Sequence, residues 1–176
     1  MRYGRRSVGV VVAALVLAGG LAVPAAASRG DGAPTAKADR VVVFKSERKL
    51  VLMRGEDVIK VYEVALGRYA KGHKVADGDQ RTPEGSYTLD YRLPRSAFHK
   101  AIHISYPNDE DAARAAALGV NPGGRIMIHG LPNKVPASAV NHPKLDWTQG
   151  CIAVTNREMD EIWAAVDDGT PIEIYP

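Results

Sequence analysis

Beyond residue 40 the chain is cut into short apolar runs separated by Gly, Pro and charged residues. Runs this short, rich in β-branched and aromatic residues, bury a face only by pairing with one another, so the chain must be built mainly of strands. Strands are expected at residues 41–44, 49–53, 58–65, 87–93 and 101–106. In the fourth, Tyr87, Leu89, Tyr91 and Leu93 alternate with Thr88, Asp90 and Arg92, the period of two that a strand requires. Arg54-Gly55-Glu56-Asp57 reads as a hairpin turn. Further short strands are expected at 125–128, at Ile152-Ala153-Val154 and at 171–174.

Two helices interrupt this pattern. Residues 109–118 are Ala-rich, follow Asn108 as a cap and end at Gly119. Thr155 and Glu158 form a capping box, and Met159, Ile162, Trp163 and Val166 recur at i, i+3, i+4 and i+7 before Gly169 ends the segment. The fold class is therefore mostly β, a β-rich sandwich or barrel-like fold with two short helices.

The N-terminus has another composition. Arg2, Arg5 and Arg6 precede an apolar run that ends in Pro24 and Ala25-Ala26-Ala27. Residues 1–27 read as a secretory signal cut before Ser28, with an uncleaved membrane anchor as the alternative; the run is short for a span and carries Gly19-Gly20. Residues 28–39, rich in Gly, Ala and Pro, read as a flexible leader, and 40–176 as one domain. The charge follows this division. The net charge of +3 is carried by the three arginines of the signal, and without them the basic residues match the 20 Asp+Glu. A neutral domain has no electrostatic case for nucleic acid, and contact with a membrane is expected only through an uncleaved signal.

An exported protein meets oxidising conditions, where structural cysteines usually come in pairs, yet this chain has one, Cys151. A lone cysteine there is a dimer bridge, a tolerated buried thiol or a nucleophile. Cys151 follows Gly150 at a loop-to-strand junction, where neighbouring main-chain N–H groups can stabilise an oxyanion. Upstream, a strand ends at His129-Gly130, and an imidazole supplies the base or ion pair that a weakly acidic thiol needs. Paired with the only cysteine, His129 reads as catalytic rather than as a structural strand-end histidine.

The order Ile126-Met127-Ile128-His129-Gly130, a gap, then Thr148-Gln149-Gly150-Cys151-Ile152 resembles the L,D-transpeptidase (YkuD-type) catalytic domain. Thr82-Pro83-Glu84-Gly85 resembles that family's T-P-x-G segment, and the early hairpin and the closing 168–174 run agree. The resemblance covers roughly residues 40–176. It implies a β-rich domain acting on peptidoglycan stem peptides, both donor and acceptor, in the periplasm or cell wall. It implies Cys151 as nucleophile through a thioester and His129 as its base. The histidine would be oriented by a backbone carbonyl near Gly130, and the N–H groups of Gly150 and Cys151 would serve the oxyanion. No cofactor and no metal is implied. Where many members have Ser-His-Gly-Cys, this chain has Thr148-Gln149-Gly150-Cys151, so Gln149 replaces a second histidine. The long stretch 131–146 is expected to form a lid or rim loop.

Other residues carry a functional reading beside an ordinary structural one. His103 is expected to line the cleft, Tyr91 and Trp147 to contact a glycopeptide stem, and Arg92 to meet a carboxylate. Asp146 is expected to fix its loop by accepting backbone N–H groups. His99 and His103 have the i, i+4 spacing of helical metal ligands, but they lie in a strand-like run without an H-E-x-x-H pattern. Four readings are thus open: a transpeptidase, an L,D-carboxypeptidase or other hydrolase on the same Cys/His site, a zinc peptidase, and a non-catalytic wall-binding module.

Overall fold

The computed structural model describes residues 36–176, so the 1–27 signal and the leader up to residue 35 lie outside the described residues. The strands are β1 (Arg40–Phe44), β2 (Lys49–Arg54), β3 (Asp57–Glu63), β4 (Gly85–Ser96), β5 (His99–Ile104), β6 (Met127–His129), β7 (Ile152–Ala153) and β8 (Thr170–Tyr175); the helices are α1 (Asp109–Ala117) and α2 (Asn156–Ala165). One eight-stranded sheet runs in the order β3-β2-β1-β8-β4-β5-β6-β7. Only β1–β8 and β6–β7 pair parallel; the other neighbours are antiparallel.

The sheet curls until its two edge strands meet. Just past β3, Ala65 and Ala153 exchange both backbone hydrogen bonds, at 3.0 and 2.8 Å, and Gly67 bridges Thr148. Closure satisfies backbone groups that an open edge would leave to solvent. It also lays the segment after β3 alongside the loop that carries Cys151.

Inside the curl, Val41, Val43, Leu50, Leu52, Leu89, Ile102, Ile128, Ile152 and Ile172 are fully buried, and Met159 and Ile162 of α2 pack among them. Both helices begin as expected. Thr155 accepts from Glu158 N while Glu158 accepts from Thr155 N, and Asn108 and Asp111 make the same reciprocal pair. Helix α2 stops at Ala165, short of Gly169, which instead takes a φ of +90° in the turn into β8.

The alternation expected along β4 holds only for its first half. Tyr87 and Leu89 are buried, but Tyr91 and Leu93 are 41% and 38% exposed. A bulge explains this: Leu89 pairs with Ile104 and Arg92 with Ile102, so three steps on β4 face two on β5. The extra residue brings Arg92 onto the side that faces α2. There it donates through Nε to Asp168 (2.6 Å), through Nη1 to the Trp163 carbonyl (2.8 Å) and through Nη2 to the Val166 carbonyl. Its guanidinium lies 4.9 Å from the Trp163 ring centre. Arg92 thus caps the C-terminus of α2, and the expectation that it meets a substrate carboxylate is corrected: its donors are taken up by the helix end. Arg92→Met is expected to lower unfolding free energy by about 2 kcal/mol in urea titrations, with no change in reactivity at Cys151.

Candidate active site

The parallel pairing of β6 with β7 sets Ile128 opposite Ile152 and His129 opposite Ala153. Both isoleucines are fully buried in the core. Side chains alternate along a strand, so Cys151, before Ile152, and His129, after Ile128, both project from the other face. A one-residue slip would drive the thiol into the core, and the two isoleucines forbid it.

His129 is held on all sides. Its Nδ1–H donates to the Gly130 carbonyl at 2.6 Å, which leaves Nε2 with the lone pair. Its ring stacks on Phe98 with centres 4.5 Å apart and meets Trp147 edge-on at 5.7 Å. It is 3% exposed, and burial lowers its pKa to about 4, with His142 adding to the lowering and the Gly130 hydrogen bond opposing it. The backbone carbonyl named as the orienting group is therefore in place. Gly130 admits no side chain, because a Cβ there would stand 2.6 Å from Asn156 Oδ1, the atom that accepts the Leu131 N–H.

The loop before Cys151 is closed by Thr148. Its hydroxyl donates to the Cys151 carbonyl at 2.8 Å and accepts from Gly150 N at 3.1 Å. The second bond corrects an expectation: the Gly150 N–H, expected to serve the oxyanion, is engaged by the Thr148 hydroxyl. Gly150 has a φ of +123°, and a Cβ on it would lie 2.6 Å from the Arg81 carbonyl. Gln149 is exposed.

The half-buried thiol faces β6, with Sγ 3.7 Å from the Arg125 carbonyl. Arg125 itself holds a φ of +54°, strained for a residue with a side chain. Burial pushes the Cys151 pKa up, against smaller opposing effects from the Met127 N–H and Lys74. A raised thiol and a lowered imidazole on the same face leave both groups neutral at neutral pH rather than as a resting ion pair.

Two consequences are measurable. Thiolate formation is delayed, so carbamidomethylation of Cys151 by iodoacetamide is expected to keep accelerating past pH 9; a plateau near pH 6 would reveal an ion pair instead. The native state also takes up the His129 proton only near pH 4, whereas the unfolded chain does so near 6.5. Stability should therefore fall by about 3 kcal/mol as pH drops across that window, and His129→Gln should flatten this slope in urea titrations.

The remaining predicted residues divide. His103 pairs in register with Met127, and Ala101 with His129, so His103 shares the face of His129. Tyr91 stacks on His103 at 4.3 Å, and Asp90 holds its Nδ1 at 2.7 Å. His99 bonds Asp160 instead, at 2.8 Å, and among the described residues no three His, Cys, Asp or Glu side chains converge as metal ligands. Asp146 accepts Leu66 N and grips Arg48, which anchors the loop as expected. Residues 131–146 contain one short 3-10 turn, Ala137–Val140, before Trp147 reaches His129.

Sequence reasoning missed Phe98, which lies far upstream and carries no motif, and the bonding role of Thr148, quoted only as part of one. It also missed Lys45. This 2%-exposed lysine donates to the carbonyls of Gly72 (2.7 Å) and Thr82 (2.9 Å) and to Glu84 (2.8 Å), and so pins the segment before β4.

The residue pattern of the L,D-transpeptidase catalytic domain matches residues 38–174, and the chain belongs to that family. It is 31% identical over 149 residues to Escherichia coli (strain K12) YafK, itself only provisionally assigned as an L,D-transpeptidase, covering 77% of this chain and 53% of YafK. Among solved structures, a point mutant of the helical cell shape determining protein Pgp2 from Campylobacter jejuni superposes with a TM-score of 0.57 at 25% identity, covering 77% of this chain and 46% of Pgp2. Bd1075 from Bdellovibrio bacteriovorus gives 0.53 at 28% identity, with the same coverages of 77% and 46%. An L,D-transpeptidase from Mycobacterium smegmatis, at 13% identity and a TM-score of 0.53, shares the fold. The chain spans about half the length of these first relatives. Among the described residues no helix is long and apolar enough to cross a membrane.

Proposed function

We infer that the domain is a cysteine-nucleophile L,D-transpeptidase that cross-links or remodels peptidoglycan through its stem peptides. The observation that carries this reading is the placement of Cys151 and His129 on one face, with His129 Nδ1 tied to Gly130 and Nε2 left as the proton acceptor. Membership of the L,D-transpeptidase family supports the substrate class.

In this reading Cys151 Sγ attacks the carbonyl carbon after the third stem residue as His129 Nε2 takes the thiol proton. The Cys151 N–H stabilises the oxyanion that forms. Collapse breaks the C–N bond, and the departing amine of the terminal D-residue carries away the proton held by His129. A thioester remains on Cys151. The amine of a second stem then attacks it, gives its proton to His129, and the thiolate leaves and is reprotonated. His103 and Tyr91, on the same face, line the approach, and Trp147 and Gln149 border it. The 1–27 segment is the signal that brings the domain to the periplasm or cell wall, and the mature N-terminus is Ser28, which Edman sequencing of the exported protein checks.

Purified disaccharide tetrapeptides incubated with the protein test the reaction. Cross-linked dimers detected by mass spectrometry are the expected product. Tripeptide alone would mean that water resolves the thioester, and unchanged substrate would overturn the reading.

A further inference from the structure

Closure of the sheet places residues 67–72 against the nucleophile loop, and a cavity of about 990 Å³ opens along that segment. Its walls join directly to the loop: Arg68 N donates to the Thr148 carbonyl at 3.1 Å, and the Arg81 carbonyl stands where a Gly150 side chain would go. The charged lining consists of Arg48, Arg68, Lys71, Arg81, Asp79 and Asp146.

These charges are not balanced. Asp146 is occupied by Arg48 and Leu66 N, and Asp79 by Lys74 and the N–H groups of Val75, Ala76 and Arg81. Arg68, Lys71 and Arg81 are exposed and face no free carboxylate in that lining. Arg81 lies across Gly72, where a Cβ would meet its Nη1 at 3.6 Å, and among the described residues its guanidinium reaches only the His73 carbonyl, at 3.5 Å. Tyr69, 66% exposed, adds an aromatic face to the same lining. On a domain whose formal charges cancel only as a whole, three cations in one groove beside the nucleophile loop, without an ion pair among the described residues, make a local anion field.

We propose that this groove seats the carboxylates of the stem peptide, with Arg68, Lys71 and Arg81 as specificity-determining contacts. The proposal rests on the peptidoglycan reading for the identity of the ligand. Guanidinium and ammonium groups discriminate a carboxylate from its amide by charge, so the groove selects free-acid over amidated stems. Its exposure makes the binding salt-sensitive.

The test measures binding of a free-acid tetrapeptide stem and of its carboxamide form to the Cys151→Ala protein, alongside turnover by the active protein. The free-acid stem is expected to bind about tenfold more tightly than the amide. The R68Q/K71Q/R81Q variant should lose that preference, and in the active protein the weakening should fall on KM. Equal affinity for acid and amide forms in the unsubstituted groove overturns the proposal, whether or not the variant folds. Acid preference without turnover would leave the groove standing and remove the catalytic reading. Turnover without acid preference would do the reverse.

Discussion

Cys151→Ala is expected to abolish thioester formation, cutting turnover of tetrapeptide stems by about 10⁴-fold or more and eliminating stoichiometric acylation by a carbapenem. No other thiol exists in the chain to substitute for it. In the proposed reaction, what would survive is substrate binding and the backbone N–H of residue 151 as oxyanion donor, and neither forms the covalent intermediate. The fold should hold, because the thiol makes weak sulfur contacts, with the Arg125 carbonyl at 3.7 Å and with the Met127 N–H. Unfolding free energy should change by less than about 1 kcal/mol. His129→Ala should come close to the same loss, and combining the two should add little, since both remove one step. Intact-mass spectrometry of the carbapenem adduct reads the result. An adduct that persists in Cys151→Ala, or undiminished turnover, would disprove the cysteine as nucleophile.

The second large effect is expected at a residue that carries no reactive group. Gly67→Ala would place a Cβ 2.2 Å from the Gln80 carbonyl oxygen and 3.0 Å from Gly150 Cα. Both obstacles are backbone, so no rotamer relieves the clash, and the segment after β3 must part from the nucleophile loop. That separation strains the Gly67–Thr148 bridge and the bond from Gly67 N to Thr82 Oγ1 at 3.0 Å. Thermal unfolding should show a loss of about 3 kcal/mol or more, with turnover falling at least tenfold at temperatures where the variant stays folded. Gly55→Ala is the matched control. It lies in the β2–β3 turn at a φ of +59° with nothing within 4 Å of a Cβ, so only the conformational cost of about 1 kcal/mol should appear, with activity intact.

Local chemistry was legible in the sequence wherever its partners lay within a few residues. The capping boxes at Asn108 and Thr155 were readable because each box closes over three residues. The hairpin around Gly55 was readable for the same reason. The order of His129-Gly130 and Gly150-Cys151 pointed to one pair of reactive groups because few other groups in the chain can perform that chemistry. The readings that needed correction depend on partners distant in sequence. Arg92 looked free until a bulge in β4 turned it onto α2. The Gly150 N–H looked available until Thr148 folded back on it. Phe98 and Lys45 gave no signal, since each acts on segments many residues away.

By itself, then, the sequence determined a mostly β domain and singled out its one thiol and a candidate imidazole partner, because hydrophobic period and residue chemistry are local properties. The tertiary structure alone decided where they lie and in what charge state. Strand register put both groups on one face, and burial left them a neutral pair rather than an ion pair. Closure of the sheet carried Arg68, Lys71 and Arg81 alongside the loop. Register, desolvation and closure arise only when segments distant in the chain pack together, and no short window of residues contains them.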